Sequence, residues 1–294
     1  MTTTEELRRA LGPLGIWMPP PARIGIDPAA YGRRIEQLGF TSVWYPGMNS
    51  AADLAAVEPA LVHTGKLRLG TGIASVWTWR PAELAAEADR LTAAYNGRFI
   101  LGLGVSHAPL VEATGQAYVK PYTKMVQFLD ELPATRAPIV LAALGPKMLE
   151  LSRDRTAGAH PYFSPPEHTA FAREVLGPEP LLIPEVAVAL WPGAEGLAHA
   201  RDYAKFYLRL PNYTSNLRRF GFTDADLAGA GSDRLINRVV PNGAVDAVDR
   251  IREHLAAGAD HVVVQVVGEE GRYAAGEVEK LAALAVDIKK RQPD

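Results

Sequence analysis

The chain has 294 residues, 48% of them hydrophobic and 22% charged, no cysteine, and a formal net charge of −2. That length and apolar content suit one large α/β barrel without requiring a second domain, so a single domain over residues 1–294 is expected. The near-neutral charge argues against nucleic acid or an anionic membrane surface as the main partner, and the missing cysteines exclude disulfides, thiolate nucleophiles and cysteine-ligated metals.

The opening MTTTEELRRALGPLG contains acids and no long apolar run, so it does not read as a signal peptide. No window approaches about 18 uninterrupted apolar residues, so no transmembrane helix is expected. These features, with the absence of cysteine, lead to a cytoplasmic expectation.

Leu14 to Met18 reads as a first strand, and Pro19-Pro20-Pro21 must be loop because proline offers no donor to a ladder. Asp27-Pro28 opens a helix with Tyr31, Ile35 and Leu38 on its buried face. Thr41 to Tyr45 is a second strand, and Ser50 to His63 an alanine-rich helix closed by Gly65. Lys66 to Pro109 then forms a βαβ unit. In it Leu67 to Ile73 is a strand, Pro81 opens a helix with Leu84, Ala88, Leu91 and Tyr95 on one face, and Phe99 to Val105 is a second strand.

Leu110 to Leu132 is expected to be mostly helical, broken near Gly115 and Pro121. Pro138 to Ala143 is a fifth strand, with a helix from Gly145-Pro146 through Arg155. Gly158 to Phe163 is a sixth strand, and Pro166-Glu167 opens the next helix. Ile183 to Leu190 is a seventh strand. Residues 191 to 242 read as the longest irregular passage, helical over 199 to 209 and 233 to 239. Val245, Val248, Ile251 and Leu255 line a further helix, His261 to Val267 is the eighth strand, and Val278, Leu281, Leu284 and Ile288 line the last helix.

Eight strand–helix alternations predict a (β/α)8 TIM barrel with an insertion before the last strand. In such a barrel the chemistry sits at the C-terminal strand ends, where the unusual residues gather: Gly72-Ile73-Ala74 after strand three, and Val105-Ser106-His107 after strand four.

The segments LGF-TSVWYP, LRLGTGIASVWTWRPAELA, NGRFILGLGVSHAPL, LAALGPKMLELSRDRTAGAHPYF and AGADHVVVQVV, in this order, resemble the luciferase-like monooxygenase superfamily. They resemble more narrowly its actinobacterial subgroup that uses the deazaflavin coenzyme F420; they separate F420 from FMN less well. The resemblance covers roughly residues 12 to 270. It implies a bacterial luciferase-like barrel, a non-prolyl cis peptide at Gly72–Ile73 beneath the coenzyme ring, and a small organic substrate above it. The homodimer expectation rests on the resemblance alone. From the residues alone, Gly72 could simply end a strand and relieve crowding at the rim.

Around the coenzyme the resemblance places Trp17, Gly72, Ile73, Ala74, Val105, Ser106, His107, Ala143 and Tyr162. Leu144-Gly145-Pro146-Lys147-Met148 would offer the free N–H groups of a helix's first turn to the coenzyme's phosphate, with Lys147 adding charge; an ordinary strand-to-helix turn is the other reading. Among the aromatic residues, Trp17 and Trp77 are the expected pocket walls, while Trp44 could instead fill the barrel core. His160 has a weaker claim near strand six.

The chain departs from the resemblance after strand two. Many F420-dependent relatives carry an Asp-His or similar polar pair there, whereas this chain has Tyr45-Pro46-Gly47-Met48. Either Tyr45 or His107 then supplies the proton, or the reaction needs only hydride transfer and solvent. No metal-ligand spacing, GxSxG elbow or dinucleotide fingerprint is present. The expectation is an oxidoreductase exchanging a hydride with coenzyme F420. An FMN-dependent monooxygenase of the same fold, or a non-catalytic binding protein, stands as the alternative.

Overall fold

The computed structural model describes residues 3–290. Strands β1 (Leu14–Trp17), β2 (Ser42–Tyr45), β3 (Arg68–Thr71, resumed at Ala74–Ser75), β4 (Phe99–Gly104), β5 (Ile139–Leu141) and β6 (Gly158–Ala159) are all parallel. They are followed by β7 (Leu181–Leu182, resumed at Glu185–Val188) and β8 (Val262–Val266), and β8 pairs with β1.

The ring closes through β7. Its first half pairs with β6 and its second half with β8. Pro184, which has no N–H to donate, sits between the two halves, where its carbonyl accepts from Val263 N–H at 2.9 Å. The result is the TIM barrel expected from the eight alternations.

The helix Thr4–Leu11, which the sequence reading left unassigned, closes the N-terminal end. Thr3 and Glu6 form a reciprocal capping box at its start. Leu7 and Leu11 join Ile100, Val140, Leu181 and Val263 inside the barrel. Arg8 and Arg173 both bind Asp260, at 2.8 and 2.7 Å, tying this helix to the turn before β8.

The barrel interior is organised by Trp44, which is fully buried. Its indole N–H donates to Ser42 Oγ at 2.9 Å. Ser42 and His261 Nε2 are 2.7 Å apart, and His261 Nδ1 is 2.7 Å from the Gly12 carbonyl. A carbonyl can only accept, so Nδ1 carries the proton and Nε2 accepts from Ser42. Gly70 makes room for the indole: a Cβ there would stand 2.4 Å from the ring.

Several expected elements are subdivided or shifted. The helix over 50 to 63 splits into Ala51–Val57 and Pro59–Val62, because Pro59 cannot donate to the helix preceding it. The stretch over 110 to 132 becomes Ala108–Glu112 and Pro121–Glu131. The helix Ala244–Ala256 buries Ala247, Val248, Ile251 and His254, and Val245 is 70% exposed, so the apolar stripe is rotated from the expected one. The last helix breaks into Val278–Leu284 and Val286–Lys289, with Leu284 exposed and Ala285 buried in its place.

The passage 191 to 242 is far more regular than expected. It forms helices Gly193–Tyr207, Pro211–Arg219, Asp224–Leu227 and Asp233–Val239 around a core of their own, which includes Tyr203, Tyr213, Leu217, Phe222 and Ile236. No helix among the described residues is long and apolar enough to cross a membrane.

Two measurements check this packing. Gly70→Ala should cost about 1–3 kcal/mol in urea denaturation, because the added methyl must displace the Trp44 ring. Burial also holds His160, His168 and His261 neutral down to about pH 4. The unfolded chain takes up protons below about 6.5 while the folded one resists, so stability should fall as pH drops from about 6.5 towards 4.

Candidate active site

The C-terminal ends of β1 and β3 to β6 surround a cavity of about 580 Å³, roofed by the helical insertion. Trp17 comes from β1, Gly72 and Ile73 from the break in β3, and Val105, Ser106 and His107 from the end of β4. Ala143 follows β5, Gly145, Pro146, Lys147 and Met148 form the adjoining first helical turn, and Tyr162 follows β6. The Gly72–Ile73 peptide is cis. Ser106 adopts φ +55°, a left-handed turn that ends the strand and leads the chain into the cavity wall at His107.

Some expected site residues lie elsewhere. Tyr45 is completely buried outside the cavity wall, burial raises its phenol pKa, and its hydroxyl reaches no partner. Ala74 is buried in the main core. Trp77 stands behind the wall, where its indole N–H donates to the Val105 carbonyl at 2.7 Å and its ring packs on Tyr118. Trp44 fills the barrel below the cavity, as the core alternative had it.

The floor is built on Trp44. His160 stacks on it with centroids 4.8 Å apart, and its Nδ1 lies 2.6 Å from the Ile183 carbonyl. His160 Nε2 is thus a bare acceptor. Both that atom and Trp17 Nε1 are buried without partners, on the side of Gly72 where a Cβ would stand 2.9 Å from Trp17 Nε1 and 3.3 Å from His160 Nε2. His107 Nε2 lies 3.4 Å from the Tyr213 hydroxyl. Burial, partly opposed by Asn212, lowers its pKa, so His107 is neutral near pH 7.

The sequence leaves RLPNYTSNLRRFGF open between a cover for the barrel mouth and a partner contact and names no site residue within it; in the structure it covers the mouth. Phe206, Tyr207, Asn212, Tyr213 and Arg219 all line the cavity. Arg219 reaches the turn before helix Pro146–Arg155: a Cβ on Gly145 would stand 3.2 Å from its guanidinium. Arg219 and Lys147 therefore flank the N-terminus of that helix. Such a group of backbone N–H donors and cations favours an anion.

Deeper in, the Tyr162 hydroxyl lies 2.7 Å from the hydroxyls of both Tyr203 and Tyr207 and 3.0 Å from Gln265 Oε1. Tyr203 in turn lies 3.3 Å from Glu185 Oε1, a fully buried carboxyl whose pKa burial raises to about 8. Only the run TSNLRRF, with two adjacent arginines in an otherwise unassigned stretch, could have pointed to Arg219.

Residues 27–132 match a luciferase-like monooxygenase model. Over this stretch, about a third of its length, the chain is similar to that family. The chain is also 29% identical over 156 residues to a 5,10-methylenetetrahydromethanopterin reductase of Methanolobus tindarius. That match covers 44% of this chain and 48% of the reductase, about half its length.

Among solved structures, a coenzyme F420-dependent tetrahydromethanopterin reductase from Methanopyrus kandleri shares the fold with a TM-score of 0.69 and 17% identity, over 93% of this chain and 97% of that one. The oxygenating constituent of 3,6-diketocamphane monooxygenase from Pseudomonas putida, in complex with FMN, shares it with a TM-score of 0.65 and 12% identity, over 97% and 98%. The matched stretch and the shared fold agree with the luciferase-like resemblance read from the strand tips.

Glu185 supplies a test of this site. The unfolded chain ionises it from about pH 4.5, whereas the folded one holds the proton to about 8. Its contribution to stability should therefore be full below about pH 4.5 and be lost as pH rises to about 8. Denaturation of Glu185→Gln across that range should lack this downward slope.

Proposed function

We propose that this protein is an oxidoreductase that transfers a hydride between coenzyme F420 and a small organic substrate at the C-terminal mouth of the barrel. The observation that supports this reading best is the convergence of three separate strand tips, TGIA, GVSH and LGPKM, on one largely apolar cavity. Its volume lies within the range usual for cofactor sites, roughly 300–1,000 Å³.

The residues present fit a flat, anionic coenzyme. Trp17 and Tyr162, with ring centroids 5.5 Å apart, form an aromatic wall, and the backbone at Gly72–Ile73 forms another side. The unpartnered Trp17 N–H is a donor in want of an acceptor. The helix N-terminus at Gly145, with Lys147 and Arg219, would hold the phosphate of the tail. When bound, a reduced deazaflavin supplies the hydride; the barrel supplies orientation and excludes water. His107, neutral and half-buried, can donate a hydrogen bond to a ring or substrate oxygen.

Titration of the purified protein with F420, FMN and FAD, followed by fluorescence, tests the reading. F420 is expected to bind, and Arg219→Ala or Lys147→Ala should weaken it roughly tenfold, or about 1.4 kcal/mol, less so at high salt. Tight FMN binding without F420 binding, together with oxygen uptake dependent on reduced FMN, would instead make the protein an FMN-dependent monooxygenase. F420 binding without turnover of enones, alcohols or nitroaromatics would make it a non-catalytic binding protein.

A further inference from the structure

A second cavity, of about 640 Å³, opens on the other side of Trp17, Phe206 and Tyr207, which line both. Its wall includes Tyr203 and Gln265, while Tyr162 faces the main cavity. The buried hydroxyls between them form an unbroken set of contacts. From Glu185 Oε1 the steps are 3.3 Å to Tyr203, 2.7 Å from Tyr203 to Tyr162, and 2.7 Å from Tyr162 to Tyr207. Gln265 Oε1 braces the middle of the run, 3.1 Å from Tyr203 and 3.0 Å from Tyr162.

We propose that Glu185 and the hydroxyls of Tyr203, Tyr162 and Tyr207 form a proton relay that joins the two cavities and supplies the hydride-transfer reaction with its proton. This rests on the oxidoreductase reading above.

Three observations favour a relay over simple packing. A buried carboxyl is costly unless it is protonated or well bonded. Glu185 is bonded by the Tyr203 phenol at 3.3 Å and by the Phe163 N–H, which reaches Oε2 at 3.4 Å, and the phenols of Tyr162, Tyr207 and Tyr213 lie near enough to interact with its charge. Among the described residues no lysine, arginine or histidine bonds it, so its negative form has no counter-ion. Each phenol carries one proton and can accept on one side while donating on the other. Of the other candidate donors, Tyr45 is shut away from the cavity, whereas His107 lines it in its neutral form.

The step balances as follows. A hydride delivered by a bound reduced coenzyme would carry both electrons to a polarised double bond of the substrate. The resulting heteroatom anion takes the Tyr162 proton, and its new O–H or N–H bond forms as the Tyr162 O–H bond breaks. Tyr203 returns a proton to Tyr162, and Glu185 returns one to Tyr203, which leaves a carboxylate. Water entering the second cavity restores that proton through Tyr203. Protons move along the relay, and electrons do not. In the oxidative direction the same groups run in reverse.

The test uses the full chain without coenzyme, so its failure is separate from a failure of F420 or FMN to bind. Infrared spectra over pH should show a protonated-carboxyl stretch that persists to about pH 8 and is lost in Glu185→Gln. After rapid mixing into D2O, this stretch should shift well before the slowest strand amides exchange. Tyr203→Phe should slow that shift at least roughly tenfold, a loss on the scale of a general acid–base contact.

A carboxyl that is already ionised at pH 7, or one that exchanges in wild type only with the slowest amides, would overturn the proposal. The second readout needs no variant, so it stands even if Tyr203→Phe fails to fold. An unchanged exchange rate in a folded Tyr203→Phe would overturn it too.

Discussion

The cross-section of the barrel is the constraint on which the rest depends. One indole, Trp44, occupies it, and its neighbours are chosen to let it. Gly70 cannot carry a side chain beside the ring. Ser42 satisfies the indole N–H, and His261 in turn satisfies Ser42. Interiors are packed as densely as organic crystals, so a filled middle leaves usable space only above it. His160 lies flat on the indole and turns that plug into a floor.

Above this floor the site is assembled from two sources with different chemistry. The strand ends contribute glycine, small apolar residues and backbone, which give a close approach for a flat ligand. The insertion after β7 contributes phenols, Asn212 and Arg219, which supply nearly all the polar groups of the roof. Because the insertion packs around its own apolar core, its polar side chains are held rather than draped over the mouth. This is why the hydroxyls of Tyr203 and Tyr207 can both meet that of Tyr162 at 2.7 Å, and why a carboxyl as deep as Glu185 stays in contact with Tyr203.

The matched stretch and the site geometry bear on different questions. The family model matches residues 27–132, which include β2 to β4 and the helices between them. The turn at Gly145, proposed to hold the coenzyme's phosphate, and the tyrosine cluster lie outside that stretch. The proposed chemistry therefore depends on what this chain itself places at the mouth.

Much of the architecture was legible without coordinates, because it is written in local patterns. Proline openings such as Pro81, Pro146 and Pro166 mark helix starts whether or not the rest of the fold is known. Apolar runs such as VVVQVV mark strands covered on both faces. Glycine-rich tips at 72 and 145 flagged two parts of the mouth for the same reason: a missing Cβ or a free N–H is a property of the residue itself. Tertiary packing alone decided the rest. Tyr45 and Trp77 carry the right chemistry at strand ends, yet the direction of their side chains depends on which neighbours fill the barrel. Arg219, Tyr203, Tyr207 and Glu185 are distant in sequence from the tips they serve. Their roles come from the folding of the insertion over the mouth and from loss of water around one carboxyl, and neither leaves a periodic trace along the chain.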